Sequence, residues 1–294
     1  MNRRFQTVYI ARLWRSGDIY TRRGKYARAA ILLEAAVGEA DQTGALSQPV
    51  FAALLNSLAV IYKYVGKFGK AEGLYWRALE IVEKACGSDA FLAATINHNL
   101  GGLEHARGRH SAGEPFARRA IALREKHLGP NHVDVAADMA ALAALLQAQC
   151  KHTEAETLYR RAITVFEAVH GPEHEEVAMN IGNLATLKQA TGKPRDAEVL
   201  YRRALALKTS SLGPSHPSVA ATANNLATLL YQEERFDEAA TLVRTALSIL
   251  EARVGSEHPN ANVCRISLAK ILAANHSQGS AMNDVAMRDA IGQS

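Results

Sequence analysis

The chain of 294 residues is 48% hydrophobic but only 6% aromatic, a balance that suits helices packed closely through small side chains. Its net charge of +5 sits at one end: residues 1–24 carry Arg3, Arg4, Arg12, Arg15, Arg22 and Arg23 against Asp18, and the remaining 28 basic and 28 acidic residues cancel, so the body is neutral rather than a nucleic-acid-binding surface. Cys86, Cys150 and Cys264 are odd in number and far apart, which excludes a CxxC zinc or redox motif, and no apolar run approaches the ~18 residues of a membrane span. With an Arg-rich start that lacks the apolar stretch of a secretory signal, these features predict a cytoplasmic protein with free thiols.

Taken in chain order, residues 1–46 predict an atypical first helix pair that turns at Gly24 and lacks the connector of later units. Five units of 42 residues follow over 49–258. Gly87, Gly129, Gly171, Gly213 and Gly255 stand 42 residues apart, and His132, His174, His216 and His258 follow four of them at one offset. Leu58, Leu100, Leu142, Leu184, Leu226 and Leu268 form a second column, and Ala78, Ala120, Ala162, Ala204 and Ala246 a third. Apolar and small residues recur at three- and four-residue spacing twice per unit, which predicts two amphipathic helices. Gly66, Gly108 and Gly192 mark the turn between them, and Cys150 and Glu234 replace the glycine in two units. The repeated histidines read as connectors that meet backbone groups at helix ends, since a site residue is not copied into every repeat. Residues 259–294 predict a degenerate C-terminal cap, giving about seven helix pairs in a single repeat domain, 1–294.

Leu58, Ala59, Tyr62, Gly66, Phe68, Ala71, Tyr75 and Ala78 resemble the tetratricopeptide pattern of small and large packing positions. The 42-residue length, Asn224 to Ala227 (NNLA), the EAExLYxRA-type run from Glu154, and Leu212 to Pro217 (LGPSHP) are similar to the kinesin light chain type. The resemblance implies an all-α, right-handed superhelical solenoid of antiparallel helix pairs and a scaffold or adaptor that binds a protein or an extended peptide segment on its concave face.

No nucleotide-binding, hydrolase or zincin motif is present, so neither an enzyme, a cofactor nor a metal is expected. Arg118, Arg160 and Arg202 each lie four residues after Glu114, Glu156 or Glu198, the favourable order for intrahelical pairs, which reads as a neutralised outer face rather than a phosphate-tracking stripe. A nucleic-acid-binding solenoid acting through the basic N-terminal end, and an enzyme with a dispersed site, are the alternatives.

Groove positions carried over from the tetratricopeptide pattern place Asn56, Lys63, Thr95, His98, Asn99, His105, Asn183, Thr186, Gln189, Asn224, Asn225, Thr228 and Tyr231 on the partner-binding face. That face is small, uncharged and rich in amides and hydroxyls, which hydrogen-bond an extended chain without the cost of burying charge. Positions where chaperone-gripping modules carry a Lys and Arg clamp hold mostly Ala, Thr and Asn, so an internal segment fits better than a terminal carboxylate. Any charge preference comes from Arg15, Arg22, Lys63, His98 and His105.

Overall fold

The computed structural model describes residues 3–88 and 90–291, and every regular element among them is an α-helix. The helices follow as antiparallel pairs: α1 (Arg3–Arg22) with α2 (Tyr26–Thr43), α3 (Gln48–Tyr64) with α4 (Phe68–Cys86), and α5 (Phe91–Ala106) with α6 (His110–Leu128). Then come α7 (Val133–Ala148) with α8 (His152–His170), α9 (Glu175–Ala190) with α10 (Pro194–Leu212), and α11 (Pro217–Gln232) with α12 (Phe236–Val254). The chain divides into two compact units, residues 1–162 and 163–294, with the division inside α8.

Each pair reverses direction through the same hydrogen-bonded turn. In the first unit the amide of Lys67 donates to the Tyr62 carbonyl at 2.8 Å and Gly66 to Lys63 at 3.1 Å; in the second, Arg235 donates to Leu230 at 2.9 Å and Glu234 to Tyr231 at 3.1 Å. These paired bonds satisfy carbonyls that a helix end otherwise leaves open, and they need one residue with positive φ. Glycine supplies it at Gly24, Gly66, Gly108 and Gly192, whereas Cys150 (φ 60°) and Glu234 (φ 59°) adopt it with a side chain. At the other end of the second helices, Gly129 and Gly213 take φ near 85° with ψ beyond 150°, a region open essentially to glycine alone. Three residues on, His132, His174, His216 and His258 accept through Nδ1 from the second backbone amide after them, at 3.1–3.2 Å, and so cap the next first helix.

Small residues let the paired helices approach. Ala78, Ala120 and Ala162 in the first unit and Ala204 and Ala246 in the second are fully buried. In α6 even a methyl is too large: a Cβ on Gly113 would lie 3.0 Å from the Gly101 carbonyl oxygen of α5. The leucine column, Leu58, Leu100 and Leu142 in one unit and Leu184 and Leu226 in the other, is buried throughout, each side chain contributing about 1.5–3 kcal/mol. First helices touch one another directly, α3 with α5 and α5 with α7, then α9 with α11 and α11 with α13.

The C-terminal segment differs from the expected cap pair. It is one helix, α13 (Pro259–Ile291), among the described residues; residues 292–294 of the expected cap lie outside them. After Pro259 the only turn-forming glycine or proline before residue 291 is Gly279, and a single helical glycine costs about 1 kcal/mol, too little to end a helix by itself.

The two side chains held at positive φ yield a prediction. Replacing Cys150 or Glu234 by glycine removes left-handed strain of about 1–2 kcal/mol and restores part of it as unfolded-chain entropy, so each variant should gain about 0.5–1 kcal/mol. Thermal unfolding of Cys150→Gly and Glu234→Gly checks this; a lower midpoint would show that the side chains contribute more than the turn strain costs.

Candidate functional site

All thirteen groove positions lie on first helices and none is fully buried. They fall into two groups, one in each unit. In the first unit Asn56 and Lys63 come from α3, and Thr95, His98, Asn99 and His105 from α5, with the small residues Ala141 and Ala144 of α7 beside them. Asn99 does not stand free: its Nδ2 donates to Asn56 Oδ1 at 2.9 Å, tying α5 to α3.

Three basic side chains share this row. Lys63 is half-buried, makes no ion pair among the described residues, and lies 5.5 Å from the centroid of the Tyr64 ring. Burial lowers its pKa. The His105 ring stands 5.0 Å from that of His110, and its pKa is lowered first by burial and then by the charges of His110 and Lys63. His98, His105, Gly101, Gly102, Ala141 and Ala144 line a cavity of about 90 Å³.

Behind His98 is a polar cluster that the periodic pattern alone does not announce. Asp138 of α7, 1% exposed, takes His98 Nδ1 at 2.6 Å on one carboxylate oxygen and Arg124 Nε at 2.7 Å on the other. Arg124, on α6, donates through Nη2 to Thr95 Oγ1 at 3.4 Å. Thr95 and His98 are thus held from beneath by a buried ion pair. The signal was present as two superposed columns: Val82 and Ile96 occupy the equivalent positions one unit earlier, and Lys208 and Thr222, hydrogen-bonded at 2.9 Å, occupy them two units later. Breaking a buried pair strands a charge, whereas replacing both partners with packed apolar groups removes the problem. Asp138→Ile leaves Arg124 with only the half-exposed Asp134, 3.4 Å away, and should cost about 3 kcal/mol, while adding Arg124→Val, which recreates the preceding unit, should recover most of it. Chemical denaturation of the single and double variants checks this; equal losses in both would show that the pair itself stabilises the unit.

In the second unit α9 supplies Asn183, Thr186 and Gln189, and α11 supplies Asn224, Asn225, Thr228 and Tyr231. Several of these are engaged within the fold. Thr186 Oγ1 and Gln189 Oε1 each lie 3.0 Å from the hydroxyl of buried Tyr201, and Gln189 Nε2 donates to Gln232 at 2.7 Å. Thr228 donates to the Asn224 carbonyl at 2.9 Å, Asn224 Oδ1 lies 3.6 Å from Cys264 Sγ, and the Tyr231 ring packs 5.6 Å from Phe236. Asn183 and Asn225 are exposed and make no side-chain hydrogen bond among the described residues. Asn225 and Asn224 border a cavity of about 220 Å³ floored by Leu250, Val263 and Cys264, and Thr228 and Tyr231 border another of about 230 Å³ with Lys270 and Ile271.

The second helices present paired charge. Arg118 meets Glu114 and Glu154, both at 2.8 Å, Arg160 meets Glu156 at 2.9 Å, and Lys151 meets Glu114 at 2.7 Å. The Glu114 carboxyl is held down at about 2, foremost by Lys151 and then by Arg118, against the opposing effect of burial. In the second unit Arg202 meets Glu198 at 2.8 Å and Arg203 meets Glu167 at 2.7 Å. Among the described residues no three His, Cys, Asp or Glu side chains gather as a metal site, and no helix is long and apolar enough to cross a membrane.

A tetratricopeptide repeat model matches residues 50–126, 135–210 and 182–252, together more than half of the chain. The chain belongs to the tetratricopeptide repeat family. Among solved structures it is similar to BtubC (BKLC) from P. vanneervenii, with 25% identity and a TM-score of 0.62 over 86% of this chain and 94% of that one. A Podosopora anserina putative kinesin light chain with nearly identical TPR-like repeats is 22% identical, with a TM-score of 0.59 over 71% of this chain and 99% of that one. PilW, a widely conserved type IV pilus biogenesis factor, is 17% identical, with a TM-score of 0.58 over 90% and 98%. No curated protein matches the chain. Tetratricopeptide repeats and neighbours of this fold support a protein-interaction scaffold in general terms.

Proposed function

We propose that this tetratricopeptide protein is a cytoplasmic adaptor, without cofactor or catalysis, whose first helices hold an extended segment of another protein. The observation that carries this reading is the pair Asn183 and Asn225, two exposed amides at one repeat position with no side-chain hydrogen bond among the described residues. An amide donates and accepts at once, so it can pair with the backbone of an extended ligand whatever side chains that ligand carries. The cavity beside Asn225 gives an apolar ligand side chain a place next to that backbone contact. Asn99 shares the column but is satisfied by Asn56, so its role leans toward holding α5 against α3.

The test begins by selecting ligands for the full chain from a displayed library of unstructured peptides. Each amide contact is worth about 1 kcal/mol, so Asn183→Ala with Asn225→Ala should weaken selected peptides about thirtyfold. The melting temperature should hold or rise, because alanine is the better helix former. Asn99→Ala should instead lower it. Unchanged peptide affinity in the double variant would place the ligand elsewhere.

The first unit adds a charge preference. Lys63 is a partly desolvated ammonium without a carboxylate among the described residues, so an acidic ligand side chain offers it the missing partner. His105 titrates below the usual histidine range and is neutral at pH 7, becoming a second cation only as pH falls through that lowered value. Affinity for an acidic peptide should therefore depend on Lys63 at pH 7, with Lys63→Met weakening it, and should rise on acidification in a manner that His105→Gln abolishes. Titrations of one acidic peptide across pH check both; a pH profile unchanged by His105→Gln would contradict the assignment.

A further inference from the structure

The face of α1 opposite its packed side carries a stripe of exposed apolar and basic side chains. Phe5, Val8, Arg12, Arg15 and Ile19 recur at three- and four-residue spacing and so form one stripe, with Tyr9 at its edge. Phe5 is 70% exposed, Val8 63%, Tyr9 48% and Ile19 40%. Arg12 and Arg15 are exposed and make no ion pair among the described residues, and the helix holds one acid, Asp18, beside Arg22.

The register shows what this face is. Moving on by whole units, Ile19 becomes Ile61, Leu103, Leu145, Leu187 and Leu229, and Tyr9 becomes Phe51, Ala93, Val135, Val177 and Val219, all buried. It is the side on which α3 meets α2, α5 meets α4 and α11 meets α10. Yet α1 is not built to take another helix pair there. Ser16 stands where every later unit from Leu58 to Leu226 has a buried leucine. Arg12 stands in the column of Asp138 and Thr222, whose partners from the helix in front are Arg124 and Lys208. A helix of this chain's own kind, from a second copy for instance, would bring an apolar residue or a like charge against Arg12.

We propose that this stripe of α1 docks on an anionic lipid surface. Phe5, Val8 and Ile19 enter the boundary between headgroups and acyl chains, and Arg12 and Arg15 meet lipid phosphates and carboxylates at the headgroup level. A phosphate groove of nucleic acid would satisfy the arginines and leave four large apolar side chains in water. A lipid interface takes both, and it needs no spanning helix.

The test is co-sedimentation of the full chain with vesicles of phosphatidylcholine alone and of phosphatidylcholine mixed with phosphatidylserine. Binding is expected to the mixed vesicles only and to weaken with salt. Arg12→Gln with Arg15→Gln should reduce it about thirtyfold and flatten the salt dependence, since each basic residue near an anionic surface contributes about fivefold. Phe5→Ser with Val8→Ser should reduce it at least about tenfold, leaving the helical circular dichroism unchanged because both side chains are already exposed. Three results would overturn the proposal: no binding to mixed vesicles, binding insensitive to Phe5 and Val8, or binding to a nucleic-acid duplex that outcompetes the vesicles and ignores those two residues.

Discussion

Everything in this molecule depends on a left-handed residue that ends the first helix of each pair. Two helices of about four to five turns must reverse direction within a few residues and leave no carbonyl without a partner, and the double hydrogen bond closed by Gly24, Gly66, Gly108 or Gly192 does both. Because that turn fixes where the second helix begins, it also fixes which side chains face the first. The buried alanines, the fully buried tyrosines Tyr75, Tyr159 and Tyr201, and the histidine caps all stand at fixed distances from it. Cys150 and Glu234 show the strength of the constraint, since the chain bends a non-glycine residue into the same conformation rather than abandon the turn.

From that geometry follows the separation of roles between the helices of each pair. Second helices carry a long charged face whose Glu and Arg side chains neutralise one another within the helix and across to neighbouring pairs, as Arg118 does with Glu114 and Glu154. Individually such exposed pairs are worth little, but they leave the face without a net field to attract a polyanion. First helices touch one another and carry small, amide-rich positions instead. Asn183 and Asn225, one repeat apart, are exposed on first helices with no side-chain hydrogen bond among the described residues, whereas the charges described on the second helices are already partnered.

The repeat register was legible because its columns are simple: one residue type, one spacing, one physical job. The turns, the histidine caps and the intrahelical Glu-to-Arg pairs were all readable at that level. Less legible was whatever depends on two columns at once. Asp138 and Arg124 each look like an interruption of an apolar column, and only their common offset of 14 residues, repeated by Thr222 and Lys208, shows that they meet. Asn99 carried the same signal as Asn183 and Asn225, yet the residue that satisfies it, Asn56, lies one position off the shared column, so its engagement needed the structure. The last helix escaped for a different reason: the composition that suggested a decaying pair also permits one uninterrupted helix.

The central claim is that ligands follow the first helices and leave the second helices untouched. Amide hydrogen exchange of the full chain, free and with a bound peptide, tests it most directly, because it reports where backbone opening is suppressed without assuming which side chains are responsible. The account predicts added protection in α3, α5, α9 and α11. Protection confined to α4, α6, α10 and α12 would contradict it.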